Sequence, residues 1–315
     1  MKDLAIIAEA VKLIQAGELV AFPTETVYGL GANAFNEEAC LKIYQAKGRP
    51  SNNPLIVHVA SLEQAEELAI FNKEAYLLSK LWPGPLTMVL PRRNNSRLAE
   101  CVTAGLSTVA IRVPAYRVAR DLITQSGVPI AAPSANKSGY LSPTSHRHVK
   151  AGFKSENVFV IDSETNTKYG LESTIIDLST SIPAILRFGF ITPQIIEQII
   201  DRQVEIATKS SAIKAPGMMY THYAPKTPIR INAISLEKGE IGLNFGSSKL
   251  NSKGSLNLSP RGDLAIAAAN LFDYLHTLDD YARVNSLQRI AIAPIPNESI
   301  GLAINDRLIR ATLSK

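Results

Sequence analysis

The sequence predicts an α/β fold, with a large mixed sheet and flanking helices followed by a second, smaller α/β unit. Strand-like and helix-like segments alternate over the first two-thirds of the chain. A stretch without hydrophobic periodicity interrupts them at 210–228. The length, 315 residues, exceeds what one ordinary core accommodates and suits two domains. The expected division is a first domain at 1–209, a linker at 210–228 and a second domain at 229–315.

In the N-terminal segment, Leu4, Ile7, Val11 and Ile14 recur at helical spacing, and Asp3 and Glu9 interrupt any signal-peptide core. ELVAFPT (18–24) reads as a strand. NEEACLKIYQAKG (36–48) reads as a helix, with Asn36 as its N-cap and Gly48 as its stop. PLIVHVA (54–60) is a strand whose Leu55, Val57 and Val59 point to one face and Ile56 and His58 to the other. SLEQAEELAI (61–70) is a helix capped by Ser61. LTMVLP (86–91), TVAIRVP (108–114), VPIAAPS (128–134), NVFVID (157–162) and STIIDLS (173–179) add strands, and AYRVARDLITQSG is a helix ending at Gly127. After the linker come IRINA, GEIGLNFG, the helical DLAIAAANLFDYLHTLDDYAR, the strand RIAIAPI and a last helix within SIGLAINDRLIRATL. A passive spacer favours Gly, Ser or Pro. This linker carries Met218, Met219, Tyr220, His222 and Tyr223, so it is expected to lie against something, as a lid.

Hydrophobic residues at 46% and charged ones at 19% describe a globular chain and exclude a disordered one. No run reaches the ~18 apolar residues of a membrane span. Cys40 and Cys101 lack metal-type spacing, which predicts inert thiols in a reducing, cytoplasmic compartment. The net charge of +5 is unevenly placed: Arg92, Arg93, Arg97, Arg112, Arg117 and Arg120 share their stretch with one acid, Glu100. Such a run is either a solvated face or a surface for a polyanion, nucleotide or RNA.

GLGANA (29–34) fits a dinucleotide fingerprint on paper. PTETVY separates its glycines from the preceding strand, no acid follows ~20 residues on, and the match is rejected. No P-loop motif occurs. Polar groups recur at or beside several other strands. Thr24 and Thr26 follow the first strand, as a tight turn or as a pocket lining. Lys47, Arg49 and Asn53 precede the strand holding His58. A lone strand histidine is usually a satisfied core residue, but here it lies beside donors suited to phosphate or carboxylate. Arg112 sits in an apolar strand, where it either meets a structural acid or binds an anion. Ser134 and Asn136 follow a strand, Ser173 starts one and Arg187 ends another. Cations, amides and hydroxyls without an evident catalytic dyad suit the positioning of an anionic substrate. His146 and His148 lack further ligand spacing and read as surface residues.

FPTETVYGLG, KGRPSNNPLIVHV, WPGPLT, TVAIRVP, APSANKSGYLSPT, GLESTIID and APGMMYTHYAP, in this order, resemble the YrdC/Sua5 family, the L-threonylcarbamoyladenylate synthases, over nearly the whole chain. The resemblance implies a twisted mixed sheet with helices around a basic cleft, plus a small Rossmann-like C-terminal α/β domain of the two-domain Sua5 type. It implies a nucleotidyltransferase that makes threonylcarbamoyl-AMP and pyrophosphate from L-threonine, bicarbonate and ATP for t6A modification of tRNA. Mg²⁺ with ATP is then the expected cofactor, held mainly by the phosphates, and tRNA or the t6A transferase machinery are expected partners. The family's Lys-Arg-Ser-Asn catalytic set falls on Lys47, Arg49, Ser134 and Asn136. Its threonine contacts fall on Thr26, His58, Arg112 and Ser173. Its ATP contacts fall on Arg49, Asn53, Thr108, Ser134, Ser142 and Arg187, and a linker residue that folds onto the nucleotide on Tyr223. Two departures stand out: RFG (187–189) replaces the usual Arg-Pro-Gly, and Thr221 stands where a basic residue is frequent. The alternatives are an RNA-binding module that uses the basic face without chemistry, and a carbamoyl-transfer domain, for which two cysteines cannot build the accompanying zinc modules.

Overall fold

The computed structural model describes residues 2–162, 167–207 and 223–313. Among them, ten strands form one mixed sheet in the order β10-β9-β8-β4-β5-β3-β6-β2-β1-β7. These are β1 (Val20–Phe22), β2 (Gly29–Asn33), β3 (Ile56–His58), β4 (Leu86–Pro91), β5 (Thr108–Arg112), β6 (Ile130–Ala131), β7 (Phe159–Val160), β8 (Thr174–Asp177), β9 (Ala184–Arg187) and β10 (Glu205–Ile206). The helices around it are α1 (Lys2–Gln15), α2 (Glu37–Lys47), α3 (Leu62–Leu68), α4 (Lys73–Leu78), α5 (Glu100–Thr103), α6 (Arg117–Ser126), α7 (His146–Gly152) and α8 (Pro193–Ile200).

The caps read in the sequence are in place. Asn36 accepts from the Ala39 N–H, Ser61 from the Gln64 N–H, and Gly48 and Gly127 adopt the left-handed conformation that ends α2 and α6. One reading is corrected at the end of AFPTETVYGLG (21–31), where the glycines belong to β2 and not to the turn. They serve packing: a Cβ on Gly31 would sit 2.7 Å from Cε1 of Phe22 and 2.8 Å from Cγ2 of Ile130. No dinucleotide turn is involved.

Period-2 alternation divides the sheet into two faces. Leu55, Val57, Val59, Met88, Leu90, Val109, Ile111 and Ile176 enter the main core. Ile56, Val89, Ala110, Ile175 and Leu186 form a small cluster on the opposite face. His58 and Arg112 share the alternation of this second set, which aims them away from the core.

The C-terminal unit has a parallel sheet in the order β11-β14-β12-β13, made of β11 (Ile229–Arg230), β12 (Glu240–Asn244), β13 (Leu256–Asn257) and β14 (Arg289–Ile292). It is accompanied by α9 (Leu264–Val284) and α10 (Gly301–Thr312). Val27, Leu141, Leu171 and Tyr223 join one apolar cluster with Leu271, Phe272 and Leu275, so the two units share buried surface. Gly170, at φ +67°, lies against α9, where a Cβ would stand 2.4 Å from the Ala269 carbonyl oxygen. Among the described residues no helix is long and apolar enough to cross a membrane.

Candidate active site

A cavity partly open to solvent lies on the sheet face opposite the main core. Its wall contains Thr24, Thr26, Arg49, His58, Arg112, Ser134, Glu172, Ser173, Arg187 and Tyr223. The strand register explains the convergence. His58 and Arg112 are partners in the parallel β3–β5 ladder, and Gly29 bridges Ser134 beside β6. Ser173 enters β8, and Arg187 leaves β9 opposite Ile175.

Arg112 is buried and donates three ways: Nε to the Gly84 carbonyl (3.1 Å), Nη1 to Thr26 Oγ1 (2.9 Å) and Nη2 to Glu25 Oε1 (2.5 Å). The alternatives at this position, structural acid or cavity, are therefore both realised. The Thr24 hydroxyl donates its one hydrogen to the Val27 carbonyl (2.7 Å), so in the Thr24–Thr26 hydroxyl pair (2.8 Å) Thr26 is the donor. Glu25 also accepts from the Ala115 N–H at 2.9 Å. Sequence reasoning missed Glu25, whose partner lies 87 positions away.

His58 is buried, and its Nδ1 has no hydrogen-bond partner among the described residues. An orphaned buried ring nitrogen on a cavity wall suits a polar ligand. Burial, and then the Arg112 charge, push its pKa down to about 3, so it is neutral near pH 7. Ser173 Oγ lies 2.7 Å from Thr87 Oγ1 and accepts from Arg187 Nη2 at 3.1 Å. Arg49 donates to the Asn53 carbonyl (3.2 Å) and the Pro54 carbonyl (2.9 Å), and burial lowers its pKa to about 10. Desolvated arginines of this kind favour an anion in the cavity.

Other named residues stand behind the wall. Lys47 Nζ donates to the Ser134 carbonyl at 2.5 Å and to the Asn136 carbonyl, which ties the end of α2 to the loop after β6. Burial, reinforced by Arg49, holds its pKa well below the usual lysine range. Asn136 donates to the Lys137 and Tyr140 carbonyls (2.8 and 2.9 Å), and its Oδ1 lacks a partner among the described residues. Ser142 is fully buried, with its hydroxyl on Glu172 Oε1. Asn53 anchors Arg49 and Tyr44 through its carbonyl. Thr108 starts β5 on the cleft-facing alternation, about 13 Å along the strand from Arg112. Extending the β3–β5 register by two residues sets it beside Pro54, on the Arg49 side.

Of the linker residues singled out, Met218, Met219, Tyr220, Thr221 and His222 lie outside the described residues. Tyr223 is buried on the cavity wall at φ 70°, an uncommon backbone setting for a non-glycine residue. The RFG turn is also defined: Phe188 packs against both large apolar clusters, and its carbonyl accepts from Arg307 Nη2 at 2.8 Å.

A second correction concerns HRH. His148 is not a surface residue; it belongs to α7 and stacks on His276 of α9, with ring centroids 3.9 Å apart. His276 Nε2 lies 3.2 Å from the Ser142 carbonyl, and His148 Nε2 lies 3.6 Å from Asp273. Burial, then the neighbouring His276, His146 and Arg147, lower the His148 pKa to about 3. Burial lowers that of His276 too, against Asp280, Asp279 and Asp273. Histidines held neutral in the folded chain gain a proton on unfolding below pH ~6.5. Stability is then complete above that pH and declines toward pH 3, by about 1.4 kcal/mol per pH unit each for His58 and His148. Urea unfolding between pH 7.5 and 5 is expected to show this decline, and His148→Asn to make it shallower by one proton. A flat profile would contradict the assignment.

Comparison with known proteins shows the family. The family model described as "Telomere recombination" (Sua5, YciO and YrdC) matches residues 12–189. The model described as "Threonylcarbamoyl-AMP synthase, C-terminal domain" matches 191–312. The chain belongs to the Sua5/YrdC family. Within this family it is similar to the threonylcarbamoyl-AMP synthase of Bacillus subtilis strain 168, at 41% identity over 97% of this chain and 92% of that protein. It is also similar to the Pyrococcus abyssi threonylcarbamoyl-AMP synthase, at 40% identity over 96% of this chain and 93% of that one. The crystal structure of P. abyssi Sua5 complexed with L-threonine superposes with a TM-score of 0.87 at 37% identity, covering 99% of this chain and 95% of that one. The match of both Sua5-type regions supports the two-domain α/β architecture.

Proposed function

We propose that this chain catalyses the formation of L-threonylcarbamoyladenylate from L-threonine, bicarbonate and ATP, with release of pyrophosphate. The observation that carries this reading is one cavity whose wall combines hydroxyls and a neutral histidine with several arginines. Thr26, His58, Arg112 and Ser173 line it together with Arg49, Ser134, Arg187 and Tyr223, and Arg187 donates to Ser173 where the two sets meet. The likeness to synthases of the same two-domain length supports it.

Threonine would place its carboxylate near Arg112 and its hydroxyl among Thr26, His58 and Ser173. The amine adds to bicarbonate with loss of water, and the new carboxylate attacks the ATP α-phosphate as pyrophosphate leaves. Arg49 and Arg187 would balance the charge on the phosphates. Hydrogen bonding of the threonine hydroxyl would reject valine strongly, whereas serine would differ only by a methyl contact. Magnesium would arrive on the ATP phosphates. The wall suits that delivery because its nearby carboxylates are already engaged, Glu25 by Arg112 and Glu172 by Arg307. In this reading the adenylate feeds t6A formation on tRNA.

The arginines of the basic stretch give the RNA-binding alternative little support. Arg92 pairs with Glu100, Arg93 with the Glu66 carbonyl, Arg97 with the Phe35 ring and Arg117 with Asp121. The decisive assay is pyrophosphate release with L-threonine and bicarbonate omitted in turn. Release is expected to need both, and release indifferent to either omission would refute the synthase reading.

A further inference from the structure

One side chain of the Sua5-type C-terminal unit makes polar contacts with the back of the cavity wall. Arg307, on α10, is fully buried. Its Nε donates to Glu172 Oε2 at 3.0 Å, its Nη2 to the Phe188 carbonyl at 2.8 Å and its Nη1 to Asp306 at 2.7 Å. The guanidinium also lies 5.1 Å from the centroid of the Tyr223 ring. Two of these contacts touch the cavity wall directly, because Glu172 and Tyr223 both line it. A third grips the residue after Arg187, another wall residue.

Glu172 poses an electrostatic problem that Arg307 resolves. A carboxylate on the wall of a cavity that takes phosphates repels the ligand and competes for the arginine meant to hold it. Burial pushes the Glu172 carboxyl up, but Arg307, Arg187 and the Ser142 hydroxyl hold it below the ordinary range, so it stays charged. With Ser142 on one oxygen and Arg307 on the other, both oxygens are engaged by partners away from the ligand.

We propose that Arg307 is a positioning residue for the nucleotide end of the active site, supplied by the C-terminal domain to neutralise Glu172 and seat Tyr223. The inference rests on the synthase reading and gives the C-terminal domain a role in it. A chain without that domain would need another answer to the charge at Glu172.

The test pairs equilibrium dialysis of ATP with steady-state pyrophosphate release in the full chain. Arg307→Met is expected to weaken ATP binding at least about tenfold while the threonine KM stays within about threefold. Adding Glu172→Gln should recover most of the lost ATP affinity, because the uncompensated charge is then gone. Equal weakening toward both substrates, or no recovery in the double variant, overturns the proposal. Should Arg307→Met fail to fold, Arg307→Lys decides. Retaining the charge should keep ATP affinity within about threefold of wild type, and a tenfold loss overturns the proposal. Wild-type protein that binds no ATP refutes the synthase reading itself, whereas wild-type affinity in Arg307→Met refutes this inference alone.

Discussion

Lys47→Ala is expected to lower the rate of pyrophosphate release by at least about 10²-fold, the scale on which a misplacement of about 1 Å acts at a catalytic site. Lys47 does not line the cavity. Its ammonium instead ties the Ser134 and Asn136 carbonyls to the end of α2, and its own carbonyl accepts from the Ser138 N–H at 2.8 Å. Removing the side chain releases the loop that carries Ser134 and Asn136 and leaves two buried carbonyls short of a donor. The stability loss should be about 1–3 kcal/mol, which a chain of this size tolerates. Lys47→Met separates the roles, because it refills the space without restoring the donor. Its rate should stay low although its melting temperature partly recovers. Arg49→Ala supplies the contrast: Arg49 is on the wall, so its loss should appear first as a raised ATP KM. A wild-type rate in Lys47→Ala would show that the loop holds its shape without the lysine.

What the sequence made legible, and what it hid, divides along physical lines. Local chemistry was readable: Asn36, Ser61, Gly48 and Gly127 cap helices through contacts within a few residues. The alternation of Leu55, Val57 and Val59 against Ile56 and His58 was readable too, because a strand has only two faces. Long-range pairing was not. Glu25 reads as one more residue of a turn until Arg112 arrives from another strand. Glu172 and Arg307 are 135 positions apart, and nothing local marks either as a partner. α7 was hidden for another reason: HRHVKAG has little apolar periodicity, and its helix shows only through the Ser145 cap. The candidate site residues were named through a resemblance spanning many motifs, and through polar groups recurring at strand ends. The structure adds which of them face the cavity and which stand behind it.

The second large effect concerns Arg112, whose two partners give it two separable jobs. Arg112→Ala should cost about 3–5 kcal/mol of stability, because Glu25 would remain buried without its counter-charge. A loss of activity in that variant would therefore say little about threonine. The informative protein is the double variant Glu25→Gln/Arg112→Met, in which the buried pair gives way to neutral groups of similar size. Such replacements of buried ion pairs are often neutral or stabilising, so urea unfolding should show most of the lost stability recovered. Threonine use should not recover. Without a guanidinium beside Thr26 and His58, the threonine carboxylate has no cation, and its KM should stay raised by at least about 10²-fold. ATP affinity, which the proposed reading assigns to Arg49 and Arg187, should change far less. A stable double variant with a normal threonine KM would remove Arg112 from the substrate and leave it a structural partner of Glu25. A stable double variant that saturates with ATP and not with threonine would tie the end of the cavity at β3 and β5 to the amino acid.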